Sequence, residues 1–505
     1  MALPWYLAVL IGVTLGCSEP IPDRIIRFGL ANAPTNLDPR HATDATSSRI
    51  NRLLYSRLID FDEGALPIPA LAKWLIISPR HYQFVLREPR PVFHNGVPLT
   101  AHDVKATYES ILDSQTASPH RGILRGIERI ETPTDSTVDF FLKRPDSFFP
   151  GYLVIGILPA NLIAQAHPFH DHPIGSGPFR FRQRADDTRL LLERREDGQQ
   201  VEFLRIPDPT VRTLKILAGE IHILQNDLPS ELVTYLATQP SINVQQREGS
   251  NFAYLGFNHD DPVAGQTAVR KAIAHAIDRK HIIQFILGGK ARPAQAIFPP
   301  DHWAGHPTLS GYPYDPGQAR QLLREAGFDE DHRPSIRYKT STDPFRLRLA
   351  TIIQYQLQQV GIDVFIDSHD WGTFYGDIKA GRFQMYSLAW VGVNTPDIFR
   401  YVFHSQGIPP IGANRGRYSS ALADQLILQA EQTSDRKHQQ ALYHALQAHL
   451  LDTLPYVPLW FEDHFVLTTK SIHGYQLQPD GNYDGLLHIQ LTSSSSLSAP
   501  QVAHR

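Results

Sequence analysis

The sequence predicts an α/β protein built from more than one domain. Three observations predict it. Strand-like and helix-like stretches alternate along most of the chain, the pattern of α/β units. Most of the longer helical stretches are followed by glycine, where a left-handed C-cap would sit. The length, 505 residues, exceeds what one small core serves and points to two or three domains. Hydrophobic residues at 42% and charged residues at 20% describe an ordinary globular protein rather than a disordered or fibrous one. The 48 basic and 51 acidic residues leave a net charge of −3, so no basic face invites nucleic acid.

The elements follow in order. Residues 24–31 read as a first strand, followed by a polar turn through Asn36 and Pro39. Ser47 to Leu58 is predicted helical, with Ile50, Leu53, Leu54 and Leu58 on one face. Residues 58–61 and 82–87 are expected to form a strand pair; the second alternates as a half-buried strand does. Thr100 and Asp103 open another helix as a capping box. The turn-rich Pro173 to Phe181 marks a passage between domains, and Val201 to Ile223 reads strand–helix–strand, the helix at Thr210 to Ala218. Ala268 to Leu287 is predicted as one long helix stopped by Gly288 and Gly289. Helices at Asp315–Ala326 and Phe345–Val360 flank a strand at 336–339 and end before Gly327 and Gly361; a strand at 362–366 comes next. Ala421 to Leu451 is helical in two parts, and the Ser-rich end, 493–505, is expected to be disordered.

The single cysteine, Cys17, ends an apolar run, Ala2 to Gly16, that is shorter than the roughly 20 residues a membrane span needs. The run reads as the core of a secretory signal. Thr14-Leu15-Gly16-Cys17 resembles the lipobox of bacterial lipoproteins, which implies cleavage before a lipidated Cys17. With no second cysteine in the sequence, no disulfide can form within the chain.

Several motifs occur together in one order. They include Leu37-Asp38-Pro39, Leu71-Ala72-Lys73-Trp74, Phe93-His94-Asn95-Gly96 and Gly175-Ser176-Gly177-Pro178-Phe179. Further on come Tyr254-Leu255-Gly256-Phe257-Asn258, Val269-Arg270-Lys271-Ala272-Ile273 and Tyr314-Asp315-Pro316. In this combination the chain resembles the bacterial extracellular solute-binding proteins of family 5, the oligopeptide- and dipeptide-binding type. The resemblance implies a periplasmic-binding-protein-like fold: two α/β lobes joined by a hinge, with a smaller third domain inserted in the first. On that pattern, 1–17 is the lipoprotein signal, 23–50 plus 175–260 with a return at 475–492 is lobe I, 51–174 is the inserted domain, and 261–474 is lobe II.

The function it implies is capture of a peptide or peptide-like solute between the lobes and delivery to the permease and ATPase of an ABC importer. The protein would act as a monomer in the periplasm or on the outer face of the membrane, tethered through lipid alone, with no cofactor. The same fold with a sugar, an opine-like compound or a metal chelate is the alternative. In peptide-binding relatives, an aspartate a few residues after a tryptophan pairs with the ligand's ammonium. Here the stretch is Trp390-Val391-Gly392-Val393-Asn394-Thr395-Pro396-Asp397, and the aspartate position is Val393. Asp397 could substitute, or could simply favour a helix start with Thr395 as N-cap. Arg400, one turn on, reads as the ion-pair partner of Asp397 or as a clamp for a ligand carboxylate, with the pair preferred. The segment around Trp371 and Tyr375 resembles one presenting a tryptophan and basic residues to the peptide, but no arginine stands between Trp371 and Arg382. A buried ammonium or carboxylate without a partner is costly, so anchors of other kinds are required here. Candidate ligand contacts are therefore Trp390, Trp371, Gly392, Val393, Asn394, Asp397, Tyr375 and Asn36.

Other chemistries find little support. His167, His170 and His172 could hold a metal by spacing, but 24 histidines make chance clusters easy, and no metal site is expected. There is no Gly-x-Ser-x-Gly, no His-Glu-x-x-His and no phosphate loop, so no enzyme is expected.

Overall fold

The computed structural model describes residues 25–393 and 395–492. Cys17 and its signal, Asn394, and the segment 493–505 lie outside the described residues. Among the described residues no helix is long and apolar enough to cross a membrane.

One eleven-stranded sheet runs through most of the molecule. Its spine is a pair of long antiparallel strands, Ile242–Phe257 and Tyr456–Thr469. On one side the second of them pairs with Ile223–Gln225, which leads to Ile26–Leu30 and Gln200–Arg205, three mutually parallel strands. On the other side Met385–Trp390 pairs with the first long strand and leads to Ser335–Ser341 and Asp363–His369, again mutually parallel. The two long strands thus belong to both lobes. Their register shifts between Arg247 and Asn251, which places the crossing there. Thr468, Leu467 and Val466 pair with Ile223, Leu224 and Gln225, so the chain returns to the first lobe inside this strand rather than at 475.

Alternation along these strands divides the second lobe into two cores. Ala253, Leu255 and Phe257 face a cluster with the helix Thr267–Ala276 and the helix Pro344–Gln358. Phe252 and Tyr254 face the opposite cluster, closed by Phe374, Phe399 and Tyr443. The smaller inserted domain has its own core, from Leu58 to Ile157, on a four-stranded antiparallel sheet.

Two local expectations are corrected. Residues 59–61 pair with Pro67–Pro69, not with 82–87, whose partners are Ala72–Ser78 and Thr137–Leu142. The single helix expected over 268–287 is two, Thr267–Ala276 and Arg279–Phe285, because Ile277 is extended and Asp278 caps the second through His281 N. The glycine stops hold: Gly288, Gly327 and Gly361 all have positive φ. Thr100 opens the helix Ala101–Leu112, its N–H donating to Asp103 Oδ2 at 2.8 Å. At the domain passage, a Cβ on Gly175 would stand 2.0 Å from Leu54 O, so the Gly-Ser-Gly motif lets two backbones touch.

Candidate ligand-binding cleft

Strand direction locates the cleft. The long strand Ile242–Phe257 runs away from the crossing, and Met385–Trp390 runs antiparallel to it, back toward the crossing. Trp390 lies opposite Phe252, at the crossing end. In the first lobe Ile223–Gln225 runs antiparallel to Tyr456–Thr469, so Gln225 also points at the crossing. The parallel neighbours follow, and the carboxyl ends of both sets of strands converge on the junction of the lobes, where open α/β sheets bind ligands. Each parallel strand of the second lobe feeds a helix there. Asp343 caps Pro344–Gln358, Asp370 caps Trp371–Ala380, and Asp397 starts Asp397–Phe403. Helix N-termini of this kind favour negative charge.

A stack of side chains fills one part of this edge. Trp371, 60% exposed, lies on Tyr375 with centroids 5.4 Å apart and planes at 6°. The Arg415 guanidinium follows, 5.3 Å from the Tyr375 ring and 4.9 Å from the Trp390 ring. Trp390, half-buried, stacks on Tyr254 at 6.4 Å and meets Tyr401 edge-on at 6.3 Å. Arg415 is 7% exposed. Its Nη2 donates to Tyr375 Oη at 3.1 Å and its Nη1 to Tyr254 Oη at 3.4 Å. Burial opposes its charge, yet the phenol oxygens of Tyr254, Tyr386, Tyr375 and Tyr456 hold its pKa above the ordinary value.

Beside the stack, the inserted domain meets the second lobe. Ser147 N donates to Glu431 O at 3.1 Å, and Phe148 stacks on Trp303 at 6.1 Å. This seam forms a partly open cavity lined by Asp146, Tyr152, Asp397, Arg400, Tyr401 and Glu431 among others. Arg400 makes a bidentate pair with Glu431 at 2.5 and 2.6 Å. It does not pair with Asp397, as expected from their spacing, because the helix turns it toward the facing helix Ala421–Gln432. Arg144 approaches the same carboxylate at 3.7 Å. Burial, with Glu431 nearby, pushes the Asp146 carboxyl up to about 7. Asp397 is pushed up to about 6, again by burial first, although the Thr395 hydroxyl donates to it. Thr395 therefore bonds the Asp397 side chain, and the residue before the helix is Pro396.

The other predicted contacts are placed as follows. Gly392 is exposed with φ +66°, and Val393 packs partly buried on the Tyr254 side of the sheet. Asn36 stands across the junction in the first lobe, where Oδ1 accepts from Asp38 N at 2.8 Å and closes a turn. Trp390, Tyr375, Trp371 and Val393 are brought to one edge, Asp397 to the adjoining cavity, and Asn36 to the other lobe. His167 and His172 are joined by a ring nitrogen to the His172 carbonyl at 2.7 Å, and His170 lies 3.0 Å from Asp171. Sequence reasoning missed Arg415, Asp146 and Glu431. Nothing local marks them, since their partners lie far along the chain.

The cleft has known counterparts. A family model described as "Bacterial extracellular solute-binding proteins, family 5 Middle" matches residues 67–408. Di/tripeptide-binding protein 1 of Pseudomonas aeruginosa (strain UCBPP-PA14) is 26% identical over 496 residues, which cover 90% of this chain and 92% of that one. Among solved structures, the periplasmic binding protein DppA from Helicobacter pylori in complex with peptide STSA superposes with a TM-score of 0.81 at 26% identity, over 92% of this chain and 98% of that one. NikZ from Campylobacter jejuni in complex with Ni(L-His) gives a TM-score of 0.83 at 23% identity, over 93% and 100% of the two chains. That last likeness is one of fold alone.

Proposed function

Because the chain belongs to the bacterial extracellular solute-binding proteins of family 5, we propose that it is the receptor component of an ABC importer for a peptide or peptide-like solute. The observation that carries this reading is the convergence of parallel-strand ends from both lobes on one junction crossed by two strands. Two crossing strands form a hinge, so the lobes can close on a solute and present the closed form to a permease. The relatives named for di- and tripeptides support the cargo class. Val393, apolar where peptide-binding relatives place an aspartate, favours a solute whose amino end is blocked or held elsewhere.

Export with a lipid on Cys17 belongs to the same reading, as does action as a monomer. The roles of Trp390, Trp371, Tyr375, Gly392, Val393, Asn394, Asp397 and Asn36 as solute contacts also belong to it.

The test is mass spectrometry of protein purified from its own cell envelope, first native, then denatured. A small molecule released on denaturation, with the mass of a short or capped peptide, is expected. Release of a non-peptide mass would move the cargo to the other solute classes. No released mass, together with no thermal shift in peptide mixtures, would sink the receptor reading. The mass of the N-terminal peptide checks the diacylglycerol on Cys17.

A further inference from the structure

Several buried arginines elsewhere in this protein have their charge satisfied by main-chain carbonyls. Arg270 donates to Leu454 O, Ala264 O, Gly265 O and Thr453 O, and Arg279 to Pro458 O and three further carbonyls. Arg212 is held the same way, whereas Arg194 combines such carbonyls with a bidentate pair to Asp197. Arg415 is different. Its side-chain acceptors are two neutral phenols, at 3.1 and 3.4 Å, and among the described residues no carboxylate stands within ion-pair distance. A guanidinium carries five N–H donors in a flat fork that fits a carboxylate. Phenol oxygens and two aromatic faces hold the ion, and a carboxylate would add the charge partner that they lack.

A second observation points to the same place. The indole Nε1 of Trp390 is buried and has no acceptor; Trp303 and Trp460 share this, but Trp390 alone of the three lies against Arg415. Native structures rarely leave such a donor unmatched. Arg415 and Trp390 thus offer positive charge and an unused N–H at the strand-end edge. One ring, Tyr375, separates the guanidinium from exposed Trp371. The N-terminus of Trp371–Ala380 adds to the same field.

We propose that Arg415, framed by Tyr375 and Trp390, is the anchor for a carboxylate of the solute. The carboxylate would replace the Tyr375 hydroxyl as acceptor on Nη2. This inference rests on the receptor reading and deepens it. The segment between Trp371 and Arg382 lacks the expected arginine, and Arg415 supplies one at Tyr375 from the loop before the helix Ala421–Gln432.

The test uses the full chain, freed of bound solute by unfolding and refolding, and two probe sets. One is a tripeptide library with free carboxyl ends; the other is the same library as carboxamides. Bound masses are counted by native mass spectrometry. The wild type is expected to retain the acids at least ten-fold over the amides. Arg415→Met should abolish that preference, and Arg415→Lys, which keeps a charge without the fork, should keep about a third of it. Trp390→Phe, which keeps an aromatic ring and loses the N–H, should weaken acid retention more than amide retention. Circular dichroism checks that each variant folds, and the wild-type comparison needs no variant. Equal retention of acids and amides by the wild type would overturn the carboxylate anchor and leave the receptor reading standing. Retention of neither library would overturn the peptide cargo and the anchor together.

Discussion

Two neighbouring parts of the cleft treat charge in opposite ways. Along the Trp371–Tyr375–Arg415–Trp390 stack a cation is buried among π faces and phenols, with no acid paired to it among the described residues. At the seam with the inserted domain, three carboxylates line a cavity and only Glu431 has a close cationic partner, Arg400. The first environment lies within one lobe, so its geometry is fixed whether the lobes open or close. The second is shared between domains and depends on their approach: Asp146 comes from the inserted domain, Asp397 and Glu431 from the second lobe. Rigid placement suits an anchor, whereas a shared acid cluster makes the contact between domains sensitive to charge.

The contrast can be broken most forcefully at Arg400. Arg400→Ala would leave Glu431 buried beside Asp146 and Asp397, and should destabilise the protein by about 3 kcal/mol in chemical denaturation. A loss under about 1 kcal/mol would mean the seam is open to water in solution.

Trp390→Ala comes next. The indole is half-buried against Tyr254 and Tyr401, so its removal should cost about 2 kcal/mol of stability, below the range for a fully buried ring. Unchanged stability would show that the ring faces solute alone.

The seam should also respond to pH. Carboxyls raised above their usual value of about 4 bind protons more readily in the folded state, so their contribution is complete at low pH and is lost as pH rises toward about 7. Because Asp146 is raised to about 7 and Asp397 to about 6, the thermal midpoint should fall across that interval. Asp146→Asn should flatten the fall. A profile identical to the wild type's would show that Asp146 titrates normally.

The smallest expected effect on the fold is at Trp371. Trp371→Ala, at an exposed ring, should change stability by less than about 0.5 kcal/mol yet weaken solute binding by about 1 kcal/mol. Calorimetry with the solute recovered from the envelope would measure it; no loss of affinity would remove Trp371 from the site.

Much of the frame was legible before any coordinates. The helix stops at Gly327 and Gly361 and the capping box at Thr100 are written in adjacent residues, and the structure has them. The two-helix break at Asp278 was legible in principle, but the apolar periodicity of Val269, Ile273 and Ile282 continues through it and masked the cap. The expected partner of Arg400 was chosen by helical spacing. The actual one, Glu431, lies 31 positions away and wins because the facing helix buries both groups together. For Trp371 and Trp390 the sequence placed two aromatics near a cleft. It could not say that one would be exposed and the other half-buried against a tyrosine.

What the sequence determined by itself is the local code. Alternation sends Phe252 and Tyr254 to one face and Ala253 and Leu255 to the other, and turn chemistry sets most element ends. What only the tertiary structure decided is which distant groups share a dry space. Arg415 reaches Tyr254 across 161 positions and Tyr375 across 40. No periodicity records such a meeting, because its energy arises from desolvation and charge when the sheet closes, and neither exists in the extended chain.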